Sequence, residues 1–222
     1  MTSGLRRERR DDPELGLSIA EPQTLPQVDS WTQSDGTAPR GYGEMIAELR
    51  AFLDHLAAAR PDAETVAALS DELRAWRERL APAAVAEREQ LFGYRRDLLG
   101  RGQTMSPAFL VQQADRGSVR GTVTFGRYFL GGNGAVHGGA IPLFFDEVLG
   151  RLANSAGRSR SRTAYLHTDY RSIAPVGVEL TVHGWFVSEE GRKRVIRAEL
   201  RDGEVLCAEA EGLFIVLNPG QP

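Results

Sequence analysis

Apolar residues recur along this chain with two different spacings, and the change of spacing divides it. Between residues 43 and 99 they return every three or four positions. Met45, Ile46, Leu49, Phe52, Leu53 and Leu56 share one side of a helix, and Arg60-Pro61 ends it. Val66, Leu69, Leu73, Trp76 and Leu80 repeat the pattern behind Asp62, a residue type that caps helix starts. A third, shorter helix is predicted over "AAVAEREQLFGYRRDLLG", closing at Gly100.

From residue 104 the chain turns to partial alternation, rich in Val, Ile, Leu, Thr and aromatics. "AFLVQQAD", "SVRGTVTFG", "RTAYLHTDYRSI", "VELTVHGWFVSEE", "KRVIRAELRD" and "EVLCAEAEGLFIVL" each read as a strand. Asp202-Gly203 is a strong hairpin signal, and "SEEGRKR" predicts a longer hairpin loop. Among these strands stands one helical pattern, "GAVHGGAIPLFFDEVLG". One helix among about six closely connected strands predicts an antiparallel α+β domain, not an alternating βαβ array. Residues 1 to 40 hold few large apolar side chains. Such a segment cannot bury enough surface to offset its ordering entropy, and it is expected to be disordered or loosely attached. The expected organisation is a tail over 1–40, a helical extension over 41–103, and the α+β domain over 104–222.

Charge and cysteine content narrow the classes of function. The 27 basic and 30 acidic residues give a net charge of -3, which asks for neither nucleic acid nor an anionic membrane as partner. The single cysteine, Cys207, can build neither a disulfide framework nor a Cys-based zinc site within one chain. The basic start of the sequence lacks the apolar run of a secretory signal, and no stretch reaches the length of a membrane span. A soluble, cytoplasmic protein is the expectation.

The chemistry concentrates at the Gly-rich loop and the helix after it. "GGNGAVHGG" has the strand-to-helix context of a dinucleotide loop, but His137 stands at the third glycine position and no second βα unit follows. His137, His167 and His183 lack the spacing of metal ligands. Acyl-group chemistry fits better. Gly138 and Gly139 leave the backbone bare before a helix start, and Pro142 suits its first turn. N–H groups there have no intrahelical partner, lie at the positive end of the helix dipole, and can polarise a thioester carbonyl.

The helix also carries two adjacent acids. At about 100° per residue, Ile141, Phe144, Phe145, Val148, Leu149 and Leu152 form one broad apolar face. Glu147 lies away from it, one turn before Arg151, as a solvated i, i+4 pair. Asp146 falls beside Pro142, Gly150 and Ala153, small neighbours that leave room around its carboxylate. From spacing alone it is equally a second surface acid.

"AVHGGAIPLFFDEVLG" resembles the signature helix of the hotdog-fold acyl-CoA thioesterases, in the PaaI-like branch. The resemblance runs on through "TAYLHTDYRSIAPVGVELTV" and "EGRKRVIRAELRDGEVLCAEAEGLFIVL", covering roughly residues 104 to 218. It implies a hotdog fold, an antiparallel sheet wrapped around one long helix. It implies a homodimer or dimer of dimers with sites at the subunit interface, and hydrolysis of acyl-CoA in lipid metabolism without metal or cofactor. By position, Asp146 would act as general base or nucleophile, and the Gly138 and Gly139 amides would hold the oxyanion. His137 would orient the loop, and Thr163 would position the attacking water or the carboxylate. Relatives often carry Asn or Gln just upstream of the histidine; Asn133 is the nearest match here, with an Asn-Gly turn as its other reading. The phosphates of coenzyme A need a basic rim. Arg158, Arg160 and Arg162 after the helix, or Arg192, Lys193 and Arg194 in the hairpin loop, could supply it. A non-catalytic acyl-CoA sensor or carrier on the same fold is the rival reading, and the pairing of Asp146 with Thr163 favours the enzyme.

Overall fold

A computed structural model describes residues 39–221. The tail expected over residues 1–40 lies almost wholly outside the described residues. The chain enters through two helices, α1 (Tyr42–Ala58) and α2 (Ala63–Leu80). The predicted stops and starts are used. Ala59 turns extended ahead of Arg60-Pro61, and the Asp62 side chain accepts a hydrogen bond from the Thr65 N–H at 2.8 Å. The third predicted helix does not form. Residues 81–102 are short 3₁₀ turns at Ala81–Ala83, Glu87–Glu89 and Leu99–Gly102, joined by irregular chain. Pro82 sits at the exit of α2, and Gly93 and Gly100 take left-handed backbone (φ 83° and 60°). Arg95 forks onto Asp97 at 2.7 and 2.5 Å, a pairing two residues apart that fixes a turn and cannot lie along one helix face.

The remainder is strands and one helix. β1 (Phe109–Ala114), β2 (Ser118–Thr124), β5 (Ser161–Tyr170), β6 (Glu179–Glu190), β7 (Lys193–Asp202) and β8 (Val205–Val216) form one antiparallel sheet, in the order β1-β2-β6-β7-β8-β5. A small hairpin, β3 (Leu130–Gly132) with β4 (Ala135–Val136), precedes α3 (Ala140–Ala153), and α3 packs across β5, β8, β7 and β6. This is the sheet wrapped around a helix that the sequence implies. All six residues of the predicted apolar face of α3 are buried, together with Ala140 and Ala153. Phe144 stands at the centre, edge-on to Phe109 at 5.9 Å and Phe125 at 5.6 Å between ring centroids. Each such side chain contributes about 1.5–3 kcal/mol on burial.

The hairpins follow local chemistry. Asp202-Gly203 opens the β7–β8 turn, with Gly203 at φ 54°. The β6–β7 connection is tighter than the loop expected over "SEEGRKR". Glu190 pairs Lys193 in register, leaving only Gly191 and Arg192 to turn. The ladder runs to its end because Glu189 and Arg194 face each other across it, and Arg194 Nε donates to Glu189 Oε1 at 2.8 Å. β5 closes the sheet on one side, paired only with β8 and carrying the exposed rings of Tyr165 and Tyr170.

Candidate active site

The loop before α3 is held by its own residues. Asn133 and Gly134 form the two-residue turn of the β3–β4 hairpin, both with positive φ (50° and 77°). The structure therefore uses Asn133 as a turn residue, the other reading open to an Asn-Gly pair. Gly131 passes so close to His137 that a Cβ there would stand 2.7 Å from the His137 Cα. The His137 N–H donates to Phe129 O at 2.7 Å. The His137 ring folds back on its own loop, and Nδ1 accepts the Gly139 N–H at 3.0 Å. Gly139, expected as one of two oxyanion donors, is thus already engaged. The Gly138 N–H has no protein partner among the described residues. Its carbonyl is gripped instead: the Tyr170 hydroxyl donates to Gly138 O at 2.5 Å. Sequence reasoning alone assigns Tyr170 no role. It stands seven residues after Thr163 on the same strand, which is its only sequence signal.

The two acids of α3 part company. Asp146 is half-buried, and the Thr163 hydroxyl donates to its Oδ1 at 2.9 Å. This bond needs α3 and β5 to be set against each other, and Asn154 does that. Its side-chain N–H₂ donates to Gly150 O at 2.7 Å, while its Oδ1 accepts the Ser161 N–H at 2.6 Å. A β-bulge does the rest. The β5–β8 register shifts between Thr163 and Tyr165, which breaks the alternation of faces. Thr163 and Leu166 both turn toward the helix side, whereas Tyr165 reaches the other way to Glu211. Nothing in the sequence marks that bulge.

Glu147 is not the solvated residue that its spacing suggests. Its side chain is only 12% exposed, and Arg101 Nη2 donates to its Oε2 at 2.5 Å. Arg151 does lie one turn on, at 4.0 Å, but it too is largely buried. Burial pushes the Arg151 guanidinium down to about 10, with Glu147 pulling upward and Arg101 and Arg96 pushing further down. The helical wheel places Glu147 correctly off the apolar face. It could not show that the chain before β1 returns to cover that side of the helix.

The basic residues also divide. Arg158 is drawn inward onto Glu189 (3.0 and 3.1 Å) and lies over the Phe186 ring at 4.2 Å, so it could meet a phosphate only by giving up that pair. Arg194 is 5% exposed and donates to the carbonyls of Ala153 and Ser159, closing the end of α3. Arg192 donates to Val216 O from an exposed position, and Lys193, Arg160 and Arg162 are exposed. The other histidines lie elsewhere. His167 is exposed beside Asp169 at 3.4 Å, and His183 stacks on Trp185 at 4.8 Å. Among the described residues no group of three or more His, Cys, Asp or Glu side chains could hold a metal ion, and no helix is long and apolar enough to cross a membrane. A groove of about 480 Å³ between β5, β8 and β7 is lined by His167, Arg171, Trp185 and Arg197. It includes neither the half-buried Asp146 nor His137, Gly138 and Gly139, which are exposed.

Residues 133–208 match the family model described as the thioesterase superfamily, a span that begins at the Asn133 turn and takes in His137, Asp146 and Thr163. Acyl-coenzyme A thioesterase THEM4 of Bos taurus is 32% identical over 96 residues, covering 42% of this chain and 39% of that protein. The chain therefore matches well under half the length of that relative. A crystal structure of a thioesterase superfamily protein superposes with a TM-score of 0.67 at 29% identity, covering 82% of this chain and 92% of that one. Residues 104–222 make up just over half of the sequence, so that match takes in part of the helical extension as well. With its sheet order, its buried central helix and this structural likeness, the chain has the hotdog fold, and its residues 133–208 are similar to the thioesterase superfamily.

Proposed function

We propose that this protein hydrolyses acyl-CoA thioesters, consuming water and releasing the free acid and coenzyme A. The observation that carries the reading is the 2.9 Å hydrogen bond from Thr163 to Asp146, at the helix that begins with the H-G-G loop. The Thr163 hydroxyl occupies Oδ1 and leaves Oδ2 of Asp146 to act. As general base, Asp146 takes a proton from water as the oxygen attacks the thioester carbon. The tetrahedral intermediate then expels the coenzyme A thiolate, which recovers the proton. As nucleophile, the same oxygen would attack the thioester carbon and expel the coenzyme A thiolate, leaving a mixed anhydride; water then opens it, freeing the acid and the Asp146 carboxylate and supplying the thiolate's proton. In either course negative charge develops on the carbonyl oxygen. The Gly138 N–H, unpartnered and near the positive end of α3, is the donor suited to it. Gly139 could join only by leaving His137 Nδ1. A carbonyl gripped by Tyr170 favours a fixed loop, and a fixed donor costs no reorganisation during the reaction.

We read the protein as a cytoplasmic homodimer or dimer of dimers whose site closes between subunits. The free edge of β5 and the exposed His137, Gly138 and Gly139 support that reading. Lys193 and Arg192 are the candidates for the coenzyme A phosphates, being less committed to internal pairs than Arg158. The test is release of free thiol from short, medium, long and aromatic acyl-CoAs, without added metal. Turnover of at least one class is expected. No release from any of them overturns the reading, and tight acyl-CoA binding without release would favour a carrier.

A further inference from the structure

The helical extension touches the candidate site at two points, and both are specific. On one side α1 reaches the Arg127–Phe129 turn that holds the H-G-G loop. Asp54 Oδ1 accepts the Tyr128 N–H at 2.8 Å, at the start of the 3₁₀ turn Arg127–Phe129. That approach requires Gly126, since a Cβ there would collide with the Asp54 carboxylate. The same turn ends in Phe129, whose carbonyl accepts the His137 N–H at 2.7 Å. The backbone atoms held by Asp54 and by His137 lie on consecutive residues, Tyr128 and Phe129. On the other side the connector before β1 reaches α3. Arg101 Nη2 donates to Glu147 Oε2 at 2.5 Å, on the residue next to Asp146. Arg101 holds this position with a left-handed backbone, φ 60°. The two contacts belong to one body. Arg50 of α1 donates to the carbonyls of Gln103 and Ser106, and Tyr42 donates to Gly102 O, so α1 and the connector are tied together.

We propose that Asp54 and Arg101 are positioning residues for the hydrolysis: the extension clamps the loop bearing the oxyanion donor and the helix bearing Asp146 in one geometry. The inference rests on the acyl-CoA thioesterase reading above. Asp54 acts through the Arg127–Phe129 turn on the His137–Gly139 backbone. Arg101 acts through Glu147 on the rotation of α3. Neither needs to touch substrate. Reacting groups must hold within a fraction of an ångström, and a misplacement of about 1 Å can cost on the order of a hundredfold in rate. Loss of either contact therefore reduces turnover more than substrate binding.

The experiment compares Asp54→Ala, Asp54→Asn, Arg101→Ala, Arg101→Lys and Asp146→Asn in the full chain, each checked for folding by circular dichroism. Thiol release is measured against acyl-CoA concentration. Asp54→Ala and Arg101→Ala are expected to lower kcat about tenfold with KM within about twofold of the parent. Asp54→Asn keeps an oxygen that can accept the Tyr128 N–H, and is expected to restore kcat to within about twofold. A side chain that only supports folding would give no such recovery in enzyme that is already folded. Should Arg101→Ala not fold, Arg101→Lys takes its place with a smaller fall in kcat. Unchanged kcat in folded Asp54→Ala and Arg101 variants, beside an inactive Asp146→Asn, overturns this inference and leaves the thioesterase reading standing. A rise in KM at constant kcat overturns it too. If Asp146→Asn works as well as the parent, the role given to Asp146 has failed; absence of thiol release from the parent itself is what overturns the thioesterase reading.

Discussion

α2 and α3 are both amphipathic in sequence, yet they meet opposite fates. α3 buries eight of its residues, and α2 buries none. Val66, Leu73, Trp76 and Leu80 of α2 are all more than half exposed, although they keep the same spacing as Phe144, Val148 and Leu152. The apolar period fixes that a segment is helical and which side would be buried. What buries it is decided by the topology. α3 leaves a short loop that delivers it onto the sheet, between β4 and β5. α2 is followed by residues 81–108, irregular chain with short 3₁₀ turns, before β1 begins, and among the described residues its main packing partner is the turn Ala81–Ala83 at its own exit. The helix whose apolar face is fully buried is also the one that carries the candidate chemistry. A carboxylate on a helix locked on one side by a core can be aimed within the tolerance that catalysis needs.

The largest effect that separates the two helices is in the core of α3. Phe144→Ala should destabilise the fold by about 3–5 kcal/mol, because two edge-on aromatic partners lose their neighbour and the site cannot collapse. Urea denaturation measures it. A cost below about 1 kcal/mol would mean that α3 is no better packed than α2, and the contrast would dissolve.

Next comes the chemistry. Asp146→Asn should lower turnover by at least about a hundredfold, the lower range for a lost general base, or about 2.7 kcal/mol in the barrier. Asn can still accept the Thr163 hydroxyl, so the fold should persist and substrate affinity should change little. Equal losses in Asp146→Asn and Glu147→Gln would show that the two acids have been given the wrong roles.

Glu147→Gln tests where the sequence misleads. As a solvated i, i+4 pair it would be worth about 0.3–0.5 kcal/mol. With Arg101 and Arg151 both turned onto it beneath the connector, the expected loss of stability is about 1–3 kcal/mol. Glu147 is the charge that raises the Arg151 guanidinium, against the burial that lowers it. A charged base held below its ordinary pKa costs stability at neutral pH. That cost is relieved only as pH rises past about 10, where the folded form loses its proton. Removing Glu147 enlarges the cost, so the variant should recover more stability than the parent between neutral pH and pH 10. A thermal scan across that range in both proteins checks the sign.

Much of this was legible beforehand, and the failures share a cause. The strands, the Asp202-Gly203 turn, the Asp62 cap and the buried face of α3 rest on period, turn chemistry and capping, which are local. The meeting of Asp146 with Thr163 was implied by resemblance to relatives. The residues alone leave Asp146 evenly between a functional carboxylate and a second surface acid, since a β-bulge turns Thr163 toward it. The inward turn of Arg158 and Arg194, the Tyr170 grip on Gly138 and the cover over Glu147 join residues 5 to 46 positions apart. No spacing rule reaches that far. The missing third helix is different: Pro82 and the glycines were visible, and an apolar spacing outweighed them.

The smallest expected effect is on α2. Trp76→Ala removes a ring that is 53% exposed and whose one described partner is the Arg79 guanidinium, 4.3 Å above it. An exposed cation–π contact contributes about 0.5–1 kcal/mol, and Ala gains a little helix propensity in return. The net change in unfolding free energy should stay within about 1 kcal/mol, and thiol release should be unaffected. Phe144→Ala, a change of similar kind in α3, should cost several times as much. The measurement is to be repeated across a hundredfold range of protein concentration. A loss above 2 kcal/mol that shrinks as the protein is diluted would show that another copy of the chain covers α2 in solution. The two helices would then differ in which molecule buries them, one held by its own sheet and the other by a neighbour.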